Sequence, residues 1–434
     1  MTYIKQTLKR IIFTFLLWGF LIHSGYIAAQ EVYSLTDYIQ TALDGNYSIK
    51  VARNNEAVAD NNYTIGNAGM LPVVTNTNRV GNSTGILSDD SLVTIQEQPI
   101  ISSEVDLGMT IFRGFRILKT YRKLGVQKEI SGLNSQMEVE NLVARIVSEY
   151  TNYVQQLVLY DNLAYAVALS RERVRIDEER YLLGSASKLE LLQSMVYLNE
   201  DSSRYARQNE VLRTVQIRLN ALMASEDLGA NIIPKDTIIS IDKNLQYDDL
   251  LSLTLSENTS IRIATRNREI SELDYGIIRS RAYPYLSLSS AYRLGIYESG
   301  LADRLDYGVT LGIDIFDGFN RQREKDNARI EIETSHIQYL QVEQEVKADL
   351  LTIFFAYENN LRLLRLEEQN LEVARENLEI ALERYKLGSL SGLELREVQK
   401  SLLDAEERLI LVKYLAKVAE ISLMQISGRI MEYI

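Results

Sequence analysis

The strongest constraint on the fold is an internal duplication of the chain. Residues 111–115 (IFRGF) recur at 315–319 as IFDGF, 204 positions later. Residues 180–187 (RYLLGSAS) recur at 384–391 as RYKLGSLS, at the same offset. Because self-similarity at a fixed offset is typical of repeated structural units, each copy should have the same order of helices and strands.

The two copies differ in length at one place. Residues 46–52 match 258–264, and Pro72 matches Pro284, at an offset of 212 rather than 204. The first copy therefore has extra residues between its proline and its Phe-x-Gly-Phe motif. Since variation in length is best tolerated in surface loops, we expect these residues in a loop.

The region of variable length has the two-residue periodicity of β-strands. Apolar residues occupy every second position from Leu305 to Ile315, and most of these positions from Ile101 to Ile111. Each run has about 11 residues, enough for a tilted strand to cross a bilayer. A soluble β-sandwich with one hydrated face is the alternative. The predicted strands cover about 71–80, 101–112, 285–297 and 305–316.

Four strands are too few to close a membrane barrel, because such barrels begin at about eight strands. An open sheet edge in lipid leaves backbone groups without hydrogen bonds, at several kcal/mol each. If these strands cross a membrane, several chains must therefore share one barrel.

A long proline-free segment follows each Phe-x-Gly-Phe motif, over 116–181 and over 320–385. As an α-helix, each segment would be about 100 Å long. The second segment has two apolar stripes of seven-residue spacing on opposite flanks, which is typical of a helix in a wall or tube. The middle layer of a solid bundle is the alternative. The stripes are Tyr357, Leu364, Leu371, Leu378 and Tyr385, and Leu366, Val373, Ile380 and Leu387.

The remaining segments complete two repeats, over 30–225 and 247–434, joined by a linker over 226–246. Each repeat should have one shorter helix before its strands and another after its long helix. These shorter helices are predicted over 35–65, 187–223, 247–278 and 391–427.

The turn after each long helix has clear capping residues. A glycine suits the left-handed residue that ends a helix, and Ser-x-x-Glu then forms a capping box for the next helix. In the alternative interpretation, the glutamates add carboxylates to a constriction. The residues are Gly184, Ser187 and Glu190 in the first copy, and Gly388, Ser391 and Glu394 in the second.

Composition disfavours several functions. A net charge of −12 disfavours nucleic-acid binding, which usually needs a basic surface. The chain has no cysteine, which excludes disulfides, thiolate metal sites and a lipid-bearing cysteine.

Residues 1–29 have the basic, apolar and small-residue regions of a secretory signal, with a membrane anchor as the alternative. Removal of this segment would leave His336 as the only histidine. We therefore expect no catalytic residue, cofactor or metal site, because triads and zinc sites rely on histidine. An exported enzyme that uses carboxylates alone is a minor alternative.

The signal segment, the duplicated helix–strand–strand–helix–helix order and the two Arg-Tyr-x-x-Gly-x-x-Ser turns resemble the TolC-like outer membrane efflux protein (OEP) family. The resemblance covers essentially the whole chain after residue 29. It implies a mainly α protein with a small β part. Four strands per chain would close a twelve-stranded transmembrane β-barrel in a homotrimer, and the coiled-coil helices would form an α-barrel below it.

The resemblance also implies a location, partners and a function. The protein would lie in the outer membrane of a Gram-negative-type bacterium, in contact with lipid, and extend into the periplasm. A periplasmic adaptor (membrane fusion protein) would couple it to an inner-membrane pump. The expected function is a passive channel of a tripartite efflux or type I secretion system, without enzymatic activity. A rigid coiled-coil spacer without a pore is the alternative.

Functional positions of the family map onto the two turns. The resemblance assigns adaptor contacts to Leu183, Gly184 and Ser185, and to Leu387, Gly388 and Ser389. It assigns the periplasmic entrance to Tyr181, Glu190, Tyr385, Glu394 and Glu397. Some members have an arginine two residues after the second turn glycine, which ties the entrance shut. Because Leu390 occupies that position, a tyrosine–arginine–carboxylate lock should not be assumed.

Overall fold

A computed structural model describes residues 32–89, 92–231, 233–236, 238–297 and 300–434. The predicted secretory signal over residues 1–29 lies outside the described residues. Helices dominate the described chain, and a small antiparallel sheet lies at one end of the long helices. Within these ranges, no helix combines the length and apolar character needed to cross a membrane.

Two helical hairpins form most of the structure. The long helices α3 (Arg116–Leu182) and α7 (Asn320–Lys386) have 67 residues each. Each is followed by a helix of 35 residues, α4 (Lys188–Leu222) or α8 (Gly392–Ile426), which packs back along it. Near the tips, the hairpins contact each other through α3 and α8, so α4 and α7 lie at the two edges there. Nearer the sheet, the helix Thr259–Ser280 packs between α3 and α7.

The helices that precede the strands differ from the prediction. Instead of one helix over 35–65 there are two, α1 (Leu35–Gly45) and α2 (Tyr47–Asn62). Instead of one helix over 247–278 there are α5 (Tyr247–Glu257) and α6 (Thr259–Ser280). The asparagine at each junction leaves the helical conformation and caps the next helix with its side-chain oxygen, which is the usual preference of asparagine at this position. These residues are Asn46 and Asn258.

The sheet is antiparallel, with the strand order β2-β3-β5-β6. Its first pair, β2 (Val73–Asp89) and β3 (Leu92–Arg113), is longer than predicted. Its second pair is β5 (Tyr285–Tyr297) and β6 (Gly300–Gly312). The extra length of the first copy was expected in a loop, but it extends paired strands. Residues 313–316 were predicted as strand and are not, because Gly312 already pairs with Tyr285, the first residue of β5.

The strand register separates apolar and polar residues onto opposite faces of the sheet. One cross-strand row aligns Val105, Tyr292 and Leu305. The next row, on the other face, aligns Glu104, Arg293 and Arg304. Arg293 donates to Glu104 at 2.6 and 3.0 Å. The described sheet is therefore amphipathic, and β2 and β6 are its open edges.

The main core lies where short helices pack against the middle of α3 and α7. Beside it, the linker and the chain start form a short parallel pair, β1 (Val32–Tyr33) with β4 (Ile233–Pro234). A short 3₁₀ helix (Ile430–Tyr433) also packs against α3. The largest fully buried core side chains include Tyr38, Ile39, Leu142, Ile146, Leu219, Leu250, Leu350 and Leu423.

The two apolar stripes of α7 have different environments. The stripe from Tyr357 to Tyr385 is buried. Tyr357 packs in the main core, and the stripe from Leu364 onward packs against α8, where it meets Leu395 and Leu402. The opposite stripe is exposed, with exposed fractions of 55% at Leu366, 66% at Val373 and 52% at Ile380. One flank of α7 is thus covered within the chain and the other remains uncovered.

Candidate functional site at the hairpin tips

The tips of the two hairpins have the same backbone geometry. Gly184 and Gly388 both have φ of +75°, the left-handed conformation that glycine adopts without strain. The N–H of Gly184 donates to the carbonyl of Tyr181 at 3.0 Å, and Gly388 donates likewise to Tyr385 at 3.0 Å. These bonds satisfy the last carbonyls of the long helices and turn the chain sharply into the next helix.

Both capping boxes form. The Ser187 N–H donates to the Glu190 carboxylate at 2.9 Å, and the Glu190 N–H donates to the Ser187 hydroxyl at 3.2 Å. Ser391 and Glu394 repeat this arrangement with the same two distances. Hydrogen bonds from Ser391 lower the pKa of the exposed Glu394 carboxyl. Each box fixes the direction in which α4 or α8 leaves its tip.

Other predicted residues are divided between solvent and the space between the tips. Leu183 and Leu387 project into solvent, and both are 83% exposed. Glu190, Glu394 and Glu397 are also exposed. A groove of about 1040 Å³ separates the two tips. Among the predicted residues, its walls include Ser185, Glu190, Tyr385, Leu387, Gly388, Ser389 and Ser391.

The tyrosines at matching positions of the two tips have unlike environments. Tyr181 is 41% exposed, whereas Tyr385 is 3% exposed. The Tyr385 hydroxyl donates to the carboxylate of Asp177 on α3, which is itself buried. Burial and the neighbouring Asp177 raise the pKa of Tyr385 to about 12, so the hydroxyl remains a proton donor at physiological pH.

Two arginines of α3, Arg173 and Arg180, lie beside Tyr385 and Asp177, and these four residues form a polar cluster. Arg180 donates to the backbone carbonyl of Tyr385, and its guanidinium lies 4.7 Å from the centre of the Tyr385 ring. Arg173 lies one turn before Asp177, with 3.8 Å between Nε and the carboxylate. A tyrosine, two arginines and a carboxylate come together within one chain, and the arginines belong to α3 rather than to position 390.

A second buried polar cluster lies beside the first and joins α4 to α8. Arg396 donates to both oxygens of Asp201, at 2.8 and 3.0 Å. Asp201 is 1% exposed and also accepts from the hydroxyl of Ser170. The Tyr197 ring connects the clusters, because Arg173 lies 5.1 Å and Arg396 lies 4.9 Å from its centre. Charge-assisted hydrogen bonds thus hold the two hairpins together at two levels.

Most residues of these two clusters were not among the functional residues predicted from the sequence. Comparison of the two copies could have revealed them, because a charged residue in one copy replaces an apolar or uncharged residue in the other. Ala381 and Ala405, for example, are both buried, and their first-copy counterparts are aspartates. At the offset of 204, the pairs are Arg173 and Asn377, Asp177 and Ala381, Asp201 and Ala405, and Leu192 and Arg396.

The arrangement of amphipathic strands and two paired helical hairpins that meet at a polar tip matches the fold of solved outer membrane channels. The model of the outer membrane efflux protein family matches residues 250–429 of this chain. The resemblance to this family seen in the sequence is confirmed by this match.

Relatives and solved structures agree with this resemblance. The cation efflux system protein CusC of Escherichia coli O157:H7 is 22% identical over 407 residues, covering 90% of this chain and 85% of that protein. Nodulation protein T of Rhizobium leguminosarum bv. trifolii is 20% identical, covering 85% and 79%. The crystal structure of VceC from Vibrio cholerae has a TM-score of 0.76 at 16% identity, covering 91% of this chain and 96% of that one. A CusC crystal structure has a TM-score of 0.76 at 18% identity, covering 91% and 92%.

Proposed function

We propose that this protein is the outer membrane channel of a tripartite efflux or type I secretion system. Three chains would form a passive conduit from the periplasm to the outside, and an inner-membrane pump would supply the energy. The observation that carries the proposal is the pair of hairpin tips at the end of an efflux-channel fold. The chain would contribute a path and a gate, and no enzymatic step.

Uncovered surfaces of the described chain support a trimer. The sheet has open edges at β2 and β6, which could pair with each other between chains. The edge helix α7 has an exposed apolar stripe, and the other edge helix, α4, exposes Leu189, Leu192 and Val196. Because α4 and α7 lie at opposite edges of the paired hairpins, α7 of one copy could pack against α4 of the next. Three copies would place twelve strands in one closed barrel, which removes the unsatisfied edges.

The tip clusters support a closed resting entrance. Tyr385 with Asp177, and Arg396 with Asp201, tie the second hairpin to the first. We infer that a periplasmic adaptor docks at the tips and that the second hairpin then moves away from the first. Glu394 and Glu397 are exposed near the tip, where three copies would create a ring of carboxylates that favours cations.

The native mass of the protein in mild detergent, followed by conductance in planar bilayers, tests this function. Three chains and a stable conductance are expected. A monomer without conductance would contradict the channel and favour a coiled-coil spacer. Replacement of Glu394 and Glu397 by alanine should alter ion selectivity if these residues line the entrance. Unchanged selectivity would leave Glu394 with its capping role alone.

A further inference from the structure

Arg173 has unused hydrogen-bonding capacity beside the groove between the tips. Its side chain is 5% exposed, and its Nε and Nη1 atoms have no hydrogen-bond partner among the described residues. The nearest carboxylate, that of Asp177, lies 3.8 Å from Nε and already accepts from Tyr385. A buried guanidinium with unpaired donors is unfavourable unless an acceptor reaches it.

The amino end of α8 lies against the same guanidinium. A Cβ atom on Gly392 would lie 2.7 Å from Nη2 of Arg173, so a larger residue at this position would displace the guanidinium. The first turn of a helix of 35 residues attracts negative charge through its N–H groups. Arg173 belongs to the first hairpin and Gly392 to the second. The equivalent residues of the opposite copies are Asn377 and Lys188, so the reverse pairing lacks this combination.

The groove has the opposite charge balance to the whole chain. The chain has a net charge of −12. The charged residues along the groove are Arg173, Arg180, Lys386, Asp177 and Glu190. Basic residues therefore outnumber acidic ones in the groove. Both acids are also engaged, Asp177 by the Tyr385 hydroxyl and Glu190 by the Ser187 N–H.

We propose that Arg173 and the amino end of α8 bind a carboxylate side chain of the docking partner. This carboxylate would lie on the acidic face of a helical segment. The inference rests on the proposed function, and it specifies the chemistry of the adaptor contact. A groove open to both tips suits a helix surface better than a free ion. Leu387 and Leu393 at its rim are exposed and could contact apolar residues that flank the acid.

Such a contact would link docking to opening of the entrance. Arg173 contributes positive charge beside Asp177 and stacks on Tyr197, which also contacts Arg396. An incoming carboxylate would compete with Asp177 for the guanidinium. Movement of Arg173 toward the partner would then weaken the contacts that hold Tyr385 and α8 against α3.

Two helical peptides of about 20 residues can test the site, one with four glutamates on its polar face and one with glutamines at the same positions. Binding of each labelled peptide to the full-length protein in mild detergent is measured by fluorescence anisotropy. The glutamate peptide should bind about tenfold more tightly than the glutamine peptide. This preference should disappear in Arg173→Met and persist in Arg384→Met, which removes an exposed arginine from the other tip.

A charge-preserving variant keeps the test valid if Arg173→Met does not fold. Gly392→Ala should displace the guanidinium and reduce the glutamate preference. Equal binding of the two peptides to the wild type, or an equal loss of preference in both arginine variants, would overturn the proposal. Saturation by inorganic sulfate without discrimination between the peptides would overturn it in favour of a free-anion site. Conductance of the same samples reports on the channel itself, so loss of that function would be seen separately.

Discussion

Replacing Tyr385 with phenylalanine removes one hydroxyl and leaves the aromatic ring in place. The hydroxyl donates to Asp177, and both groups are buried. Hydrogen bonds to charged groups contribute about 1.5–3 kcal/mol. Arg173 remains 3.8 Å from the carboxylate and compensates part of its charge, so we expect the lower end of this range. The equilibrium between closed and open entrances should therefore shift about tenfold toward the open state.

Single-channel recording in planar bilayers measures this shift as open probability or mean conductance. Tyr181→Phe is the matched control, because Tyr181 occupies the same position of the other tip and is 41% exposed. Tyr385→Phe should open the entrance, and Tyr181→Phe should not. Equal effects of the two substitutions, or no effect of either, would refute the role given to the buried hydroxyl.

Three further predictions follow from the clusters and the exposed stripe. Asp201→Ala leaves the half-buried Arg396 with only Glu200, at 3.2 Å, as an acidic partner, and should destabilise the protein by about 3 kcal/mol in denaturant unfolding, the lower end of the cost of breaking a buried pair. Asp306→Ala breaks an exposed pair with Arg304 and should cost at most about 1 kcal/mol. The pKa of Tyr385 is raised in the folded state, so its contribution to stability is complete below its ordinary value of 10.0 and is lost as the pH rises toward about 12. A pH titration of unfolding should show this loss in the wild type and a smaller one in Tyr385→Phe. Val373→Glu places a charge on the exposed stripe of α7 and should reduce the native mass to one chain, whereas Glu372→Gln should leave it unchanged.

The long helices could be predicted from the sequence because their periodicity is local. Absence of proline, a seven-residue apolar spacing and a capping box each depend on neighbours in the chain. The predicted bounds of 116–181 and 320–385 differ from the structure by one residue at the end. The breaks at Asn46 and Asn258 were missed, because asparagine within a helix-like pattern can either continue the helix or cap a new one.

Tertiary structure decided which polar residues form a site. Tyr181 and Tyr385 have the same local motif, and only Tyr385 is buried, where α7 packs against α8 and the hydroxyl reaches Asp177 of α3. Arg173 and Arg396 are far apart in the sequence, and both lie over the Tyr197 ring only because the two hairpins pack side by side. The sequence by itself determined the long helices, the tips and the presence of four strands, since these follow from short-range periodicity and capping. The pairing of charges between hairpins depended on long-range packing, which no local pattern encodes.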